Sequence, residues 1–385
     1  LVAVLSSKHV DAFGSRSREA FLADAEALKL RLASMSVPQR LVALAQLVAT
    51  IGDQHSSIAL DRLVRQAQLL PITLLWLDDG LFIAGAEQGR GDLLGREVTT
   101  IGGRPIAELL PLVTSVTAAE NEGVRRVKFG QLASSYDLLY ALGLVEADGH
   151  VAVGVRSAEG GEERVLIAPL PPRSAPNLRT LPDRSAPDLA LSLRPGQGNT
   201  LLEVLPESEL VYLRYDRCLE NPSQPFRTVA ERVTAALKEM KHPRLIIDLR
   251  NNMGGDSRVI RPLLEEVESL RRTSSAMGAP HAVVVLIGPR TQSSAAINAL
   301  ELKQRLGATL LGEKSGQRPS HLGEVRTVVL PNTSLTLWYS TKRFDAGAEW
   351  AAQDGLPPDQ RIPSTAKDFL AGRDPVLEAA VGLPR

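Results

Sequence analysis

Apolar residues recur at helical spacing through the first 65 residues. Phe21, Leu22, Ala25, Leu28 and Leu32 fall on one face. A second helix has a defined start, with Ser36 as its cap, Gln39 completing a capping box and Pro38 in the first turn. Its predicted stripe is Leu41, Leu44, Leu47 and Ile51, and Gly52 is its stop. The pattern then changes. Short apolar runs at 74–76 and 81–84 alternate with Gly and Asp turns, 94–106 reads as strand, turn, strand leading into a helix to about 113, and 151–155 with 163–167 reads as a hairpin. Residues 169–198 are rich in proline (Pro169, Pro171, Pro172, Pro176, Pro182, Pro187 and Pro195), which predicts a linker or an extended wrap.

Beyond about 200 the pattern is that of an α/β core. Strands are predicted at Leu210–Tyr215, 245–249, 282–287 and 309–311, with helices at 226–240, 259–270 and 295–306. Strands apolar on both faces, alternating with helices, imply a buried parallel sheet. The expected organisation is therefore an N-terminal helical region (1–65), a β-rich region (66–168), a Pro-rich linker (169–204) and an α/β core (205–385).

Charge removes some functions. Lys plus Arg equals Asp plus Glu at 44 each, so no electrostatic footprint calls for nucleic acid or an anionic membrane surface. The single cysteine, Cys218, rules out an intrachain disulfide and a cysteine-based zinc site. No apolar run approaches the roughly 18 residues of a membrane helix. No metal or cofactor is expected.

Two strand-to-helix turns carry the candidate chemistry. They are Asp248-Leu249-Arg250-Asn251-Asn252-Met253-Gly254-Gly255-Asp256 and Gly288-Pro289-Arg290-Thr291-Gln292-Ser293-Ser294-Ala295. Each follows the C-terminal end of a predicted parallel strand, the edge at which open α/β sheets place their sites. A hydroxyl at a helix N-terminus sits beside free backbone N–H groups, which can stabilise an oxyanion in acyl transfer. Gly254 and Gly255 let the backbone approach closely enough for a further donor. The plain alternative is a glycine turn and a serine that only caps a helix. The glycine spacing fits neither a dinucleotide fingerprint nor a Walker loop.

The run Leu245-Ile246-Ile247-Asp248-Leu249-Arg250-Asn251-Asn252-Met253-Gly254-Gly255 resembles the signature strand of the C-terminal processing (tail-specific) serine peptidases. Thr291-Gln292-Ser293-Ser294-Ala295, the later Leu310-Leu311-Gly312-Glu313, and the tail Gly355-Leu356-Pro357-Pro358-Asp359 with Asp368–Pro375 resemble other motifs of that family in the same order. Asp53-Gln54-His55-Ser56 resembles its Asp-Gly-His-Thr segment.

The resemblance implies a ClpP/crotonase-like mixed sheet with flanking helices, a PDZ-like middle region, and hydrolysis of peptide or unfolded protein substrates through an acyl-enzyme. It assigns the nucleophile to Ser293 and the oxyanion donors to the N–H groups of Ser294 and of Gly254 or Gly255, with Gly254 preferred. Gln317 stands where the serine–lysine branch has its lysine. The general base is therefore expected to be His55, as in the tricorn-like histidine branch, with His321 and then Lys342 as rivals. Ala352 occupies the position matching that branch's glutamate, which leaves Glu349, Asp354 and Ser56 as candidate orienting partners. His9, His150, His242 and His281 read as surface or structural.

The Leu94–Pro105 stretch resembles a PDZ core without the glycine-rich carboxylate loop. Export is expected from the family's habits, and the start at Leu1 fits a trimmed signal or a shortened chain. A catalytically silent ligand-binding module on the same fold, as in retinoid-binding relatives, and a serine esterase are the alternatives.

Overall fold

The computed structural model describes residues 1–157, 160–183, 189–196 and 198–384. Pro187 lies outside the described residues. Two compact units are present. One comprises Leu1–Pro182 with Ser320–Asp345, the other Asp183–Pro319 with Ala346–Arg385.

The second unit is a six-stranded mixed sheet in the order Gln360–Arg361, Thr309–Gly312, Val283–Ile287, Arg244–Asp248, Leu210–Tyr215, Thr200–Leu205. All pairs are parallel except the antiparallel Thr200–Leu205 edge. Side chains alternate across the sheet. Val211, Leu213, Leu245, Ile247, Val283 and Val285 face one core with the helices Phe226–Lys238, Arg261–Thr273 and Ser294–Leu306. Tyr212, Ile246, Val284, Leu286 and Leu311 face a second core closed by the C-terminal helix Pro375–Gly382. Burial on both faces is why these strands read as unbroken apolar runs. The one acid among them, Asp248, accepts the Tyr212 hydroxyl at 2.8 Å and Arg250 Nη2 at 2.6 Å. Arg250 also reaches Asp374, at 2.6 Å and 2.7 Å, which anchors the C-terminal helix to the turn that follows the strand.

The first unit begins with helices Val2–Lys8, Arg18–Arg31 and Val37–Ala49. The Ser36–Gln39 capping box forms in both directions. The buried stripe of that helix is Val42, Ala45 and Val48 with Leu47, one position on from the predicted phase, and Leu41 and Leu44 are only half-buried. In a helix this rich in apolar residues, periodicity alone does not fix the phase. The middle region carries a four-stranded antiparallel sheet of 98–101, 104–105, 151–156 and 162–167. It also carries helices Ile106–Val113, Glu122–Leu132 and Tyr136–Ala141, of which the last two have no counterpart in the β-rich expectation. Parts of the predicted linker are sheet. Leu178–Thr180 pairs with Gly80–Glu87, and Thr200–Leu205 with Leu210–Tyr215.

The units also differ from the expected organisation at 320–345. The hairpin His321–Val329 and Thr336–Phe344 pairs with Ser57–Ile58 in the first unit, and Leu335, Leu337 and Tyr339 join that unit's core. A hairpin that leaves one unit to complete another is invisible to linear reading. Among the described residues no helix is long and apolar enough to cross a membrane.

Candidate active site

Ser293 sits at the N-terminus of the helix Ser294–Leu306, at φ +50° and ψ −128°. A left-handed backbone at a non-glycine residue costs of order 1–3 kcal/mol and persists only where its surroundings enforce it. Those surroundings are explicit. The Ser293 N–H donates to Gln317 Oε1 at 3.3 Å. The buried Thr291 hydroxyl donates to the Leu249 carbonyl at 2.9 Å, and the Gln292 N–H donates to the Asn252 carbonyl at 3.1 Å. The two predicted turns are thus laced together.

The Ser293 side chain makes no capping bond, so its hydroxyl is not consumed by the helix. Ser294 is different. It is buried, and its hydroxyl donates to the Gly255 carbonyl at 2.7 Å. A strained turn that lifts a serine at a strand-to-helix junction is how other hydrolase folds expose a nucleophile.

The donors around Ser293 also sort themselves. Gly254 lies against it at φ +102°, where an added Cβ would meet Ser293 Cβ at 2.7 Å and the Ser294 nitrogen at 3.0 Å. The Gly254 N–H is already engaged, donating to Asn252 Oδ1 at 2.9 Å. The exposed Gly255 and the first helical residue, Ser294, make no backbone N–H hydrogen bond among the described residues. These are the two N–H groups free to meet a developing oxyanion. Asn252, which the sequence reading passed over, organises the turn. It is fully buried, and its Nδ2 donates to the Tyr215 carbonyl at 2.8 Å.

Three other residues singled out by the resemblance lie in this unit, Gln317 at the family's lysine position and the candidate partners Asp354 and Glu349. Gln317 is fully buried and serves as the acceptor for Ser293 just described. Asp354 pairs with Lys314 Nζ at 2.7 Å, and the exposed Glu349 accepts Trp350 Nε1 at 3.0 Å.

His55 belongs to the first unit, in the turn after helix Val37–Ala49. Its ring stacks on His321 with centroids 5.9 Å apart, and His321 stacks on Phe344 at 5.2 Å. Lys342 Nζ stands 4.7 Å from the Phe344 ring centre. His321 and Lys342, the rival bases, are therefore parts of the layer against which His55 rests. The His55 Nδ1 is buried and makes no hydrogen bond, and Asp53 Oδ1 lies 4.0 Å from it. Burial pushes the His55 pKa down to about 4. The Asp53 charge opposes the drop, while His321 and Lys128 add to it. The imidazole is thus neutral, and able to accept a proton, throughout the neutral range.

Asp53 is buried, and burial raises its pKa. Hydrogen bonds from His9 and Ser56, with further ones from Ser340 and the His55 backbone, outweigh that and bring it to about 2. Its Oδ1 accepts the His55 backbone N–H at 3.0 Å, and its Oδ2 accepts the Ser56 hydroxyl at 2.6 Å. The aspartate of this turn, not Ser56 itself, faces the His55 ring. Ser56 supports it from behind. Lys128 is half-buried beside this group and donates to Thr117 Oγ1 at 3.1 Å and to the Ala118 carbonyl. Burial lowers its pKa to about 8.

Residues 210–362, which hold the strained serine, the two open backbone donors and the parallel strands, match the family model of peptidase family S41. Among particular relatives, the tricorn protease homolog 1 of Streptomyces coelicolor is 27% identical over 160 residues, which is 38% of this chain and 14% of that protein. The chain thus spans a small part of that relative's length. The structure of mature CPAF complexed with lactacystin matches with a TM-score of 0.66 at 15% identity, over 98% of this chain and 95% of that one. Mature CPAF alone gives 0.64 at 15% identity, over 98% and 94%. At these identities the likeness establishes the mixed α/β fold.

Proposed function

We propose that the chain is a serine peptidase of the S41 type that cleaves peptide or unfolded protein substrates through an acyl-enzyme on Ser293. In this reading His55 takes the Ser293 proton as the hydroxyl attacks the scissile carbonyl. The Gly255 and Ser294 N–H groups receive the oxyanion. The imidazolium then protonates the leaving amine, and water, deprotonated by the same ring, releases the acyl group. Asp53 supplies the negative charge that favours the imidazolium during each transfer. The ClpP/crotonase-like core, the PDZ-like middle region, the histidine-using branch and an exported location belong to this proposal on the strength of the motifs alone.

The observation that carries the reading is the uncapped Ser293 at φ +50°, in a pair of turns that also holds the open Gly255 and Ser294 N–H groups. A fluorophosphonate probe tests it. Covalent labelling at pH 7.5 should vanish in Ser293→Ala, fall steeply in His55→Ala and survive in Ser294→Ala. Labelling that depends on Ser294 instead would move the nucleophile. No labelling at any pH would leave a ligand-binding protein on a peptidase fold. Labelling with turnover of esters but not of unfolded casein would make it an esterase.

A further inference from the structure

We propose that His9 is a positioning residue for the general base, a fixed donor from the N-terminal segment that holds the Asp53–His55 turn in its working geometry. This rests on the reading of His55 as the base.

The proton inventory makes the case. The His9 side chain is fully buried. Its Nδ1 accepts the Asp11 backbone N–H at 2.9 Å, so the ring's own proton is on Nε2. Nε2 lies 3.0 Å from Asp53 Oδ2 and 3.0 Å from Ser56 Oγ. The Ser56 hydroxyl donates to the same Asp53 oxygen. Oδ2 is therefore held by donors from two directions. That fixes the carboxylate plane, with Oδ1 accepting the His55 N–H and lying 4.0 Å from the His55 ring, while Ser340 is a further partner of the same carboxylate.

Local sequence already supplies Asp53 with two partners, Ser56 and the His55 N–H. His9 adds another from 44 residues away, and among the described residues its Nε2 hydrogen-bonds to the two residues that flank the Gln54–His55 pair. The segment that carries it is itself tied down. Leu5 is fully buried, the Val10 N–H donates to the Ser340 carbonyl at 3.0 Å, and Asp11 pairs with Arg343. Without His9 a buried carboxylate loses a donor and can turn about its own side-chain bonds, carrying Oδ1 away from the base.

The test uses the full chain as wild type, His9→Ala, His9→Gln and His55→Ala. It reads kcat and KM on a peptide substrate, the rate of fluorophosphonate labelling, and the imidazole nitrogen spectrum of His55. His9→Ala should lower kcat about 100-fold with little change in KM, the scale of a misplaced catalytic group. Its His55 proton should redistribute between the ring nitrogens. His9→Gln keeps an N–H donor and should recover most of the rate and the wild-type tautomer. An unchanged rate and tautomer in His9→Ala overturns the inference, as does a folded His9→Gln that is no better than His9→Ala. If His9→Ala does not fold, His9→Gln decides alone: folded and near wild-type rate supports the role, folded and as slow as His55→Ala overturns it. Failure of the catalytic reading looks different. The wild type would go unlabelled while the His55 tautomer still answered to His9.

Discussion

The Ser293 turn and the His55 turn are built by opposite means. Around Ser293 the working parts are backbone: a left-handed φ, two unspent N–H groups and a glycine pressed against the serine Cβ. Around His55 they are side chains gathered from distant positions. His9, Asp53, Ser56, Lys128 and His321 all bear on one imidazole, two through Asp53 and two through the field at the ring. A backbone site is rigid and tolerates no added atoms. A side-chain site has its electrostatics set by burial and by which protons are donated where. The two should therefore break differently, the first through geometry and the second through charge.

The largest effect tests the geometric half. Ser293→Ala should reduce peptide turnover by roughly six orders of magnitude, the scale on which loss of a serine nucleophile acts, with a thermal midpoint close to wild type because the Ser293 hydroxyl makes no capping bond. Gly254→Ala comes next. Its Cβ would sit 2.7 Å from Ser293 Cβ at a φ of +102°, so the serine or the loop must move. A kcat loss of about 100-fold is expected, measured by single-turnover labelling. A Gly254→Ala protein with wild-type rate would show that the serine is not held where the turn places it.

The same contrast explains what could be read from the chain. The strands Leu210–Tyr215, Arg244–Asp248 and Val283–Ile287 are continuous apolar runs because both faces are buried, and the turns after the latter two hold Gly254, Gly255 and Ser293 within a few residues of each strand end. Everything that turn needs is local. The preference for Gly254 over Gly255 runs against the structure, in which Asn252 Oδ1 already engages the Gly254 N–H, a side-chain contact that pattern alone does not reveal. The His55 turn was legible only as a histidine after a helix. Asp53 stands two residues away in the sequence, yet the resemblance pointed to Glu349, Asp354 and Ser56 as partners. Spacing gave no sign that His9 and Ser56 both point their protons at that carboxylate. The hairpin from 320 to 345 was hidden for a related reason, because its strand pairing joins Ser57 to Trp338, far apart in the sequence.

Asp53→Asn sharpens the electrostatic half. An amide keeps the shape but removes the charge, and its NH2 would face the His9 and Ser56 donors or the His55 N–H. A kcat loss of about 100-fold is expected, because the carboxylate orients and stabilises the base. Chemical denaturation should also show lower stability. Equal kcat in Asp53→Asn and wild type would remove Asp53 from the mechanism.

Stability against pH comes next. The folded His55 pKa, about 4, lies below its ordinary value of 6.5. As pH falls from 6.5 toward 4 the unfolded chain takes up a proton that the folded chain refuses, so stability is lost across that window, by about 3 kcal/mol in total. Urea unfolding at pH 7.5 and pH 4.5 measures the loss, and His55→Gln should flatten it. A wild-type curve already flat would mean the ring is solvated and titrates normally.

The smallest effect concerns Lys128. At the pH where His55 titrates this lysine is charged, since its own pKa is about 8. Its field is one of the weaker influences holding His55 down, after burial and His321. Lys128→Met should therefore move the acidic limb of kcat/KM upward, toward the ordinary histidine range, while leaving the plateau at pH 7.5 nearly unchanged. The direction is the informative part. Removing a cation beside a buried imidazole makes protonation easier, whereas removing a group that merely props the fold would lower the plateau and leave the limb in place. A limb that stays put, or moves down, would show that Lys128 acts on Asp53 or on packing and not on the base.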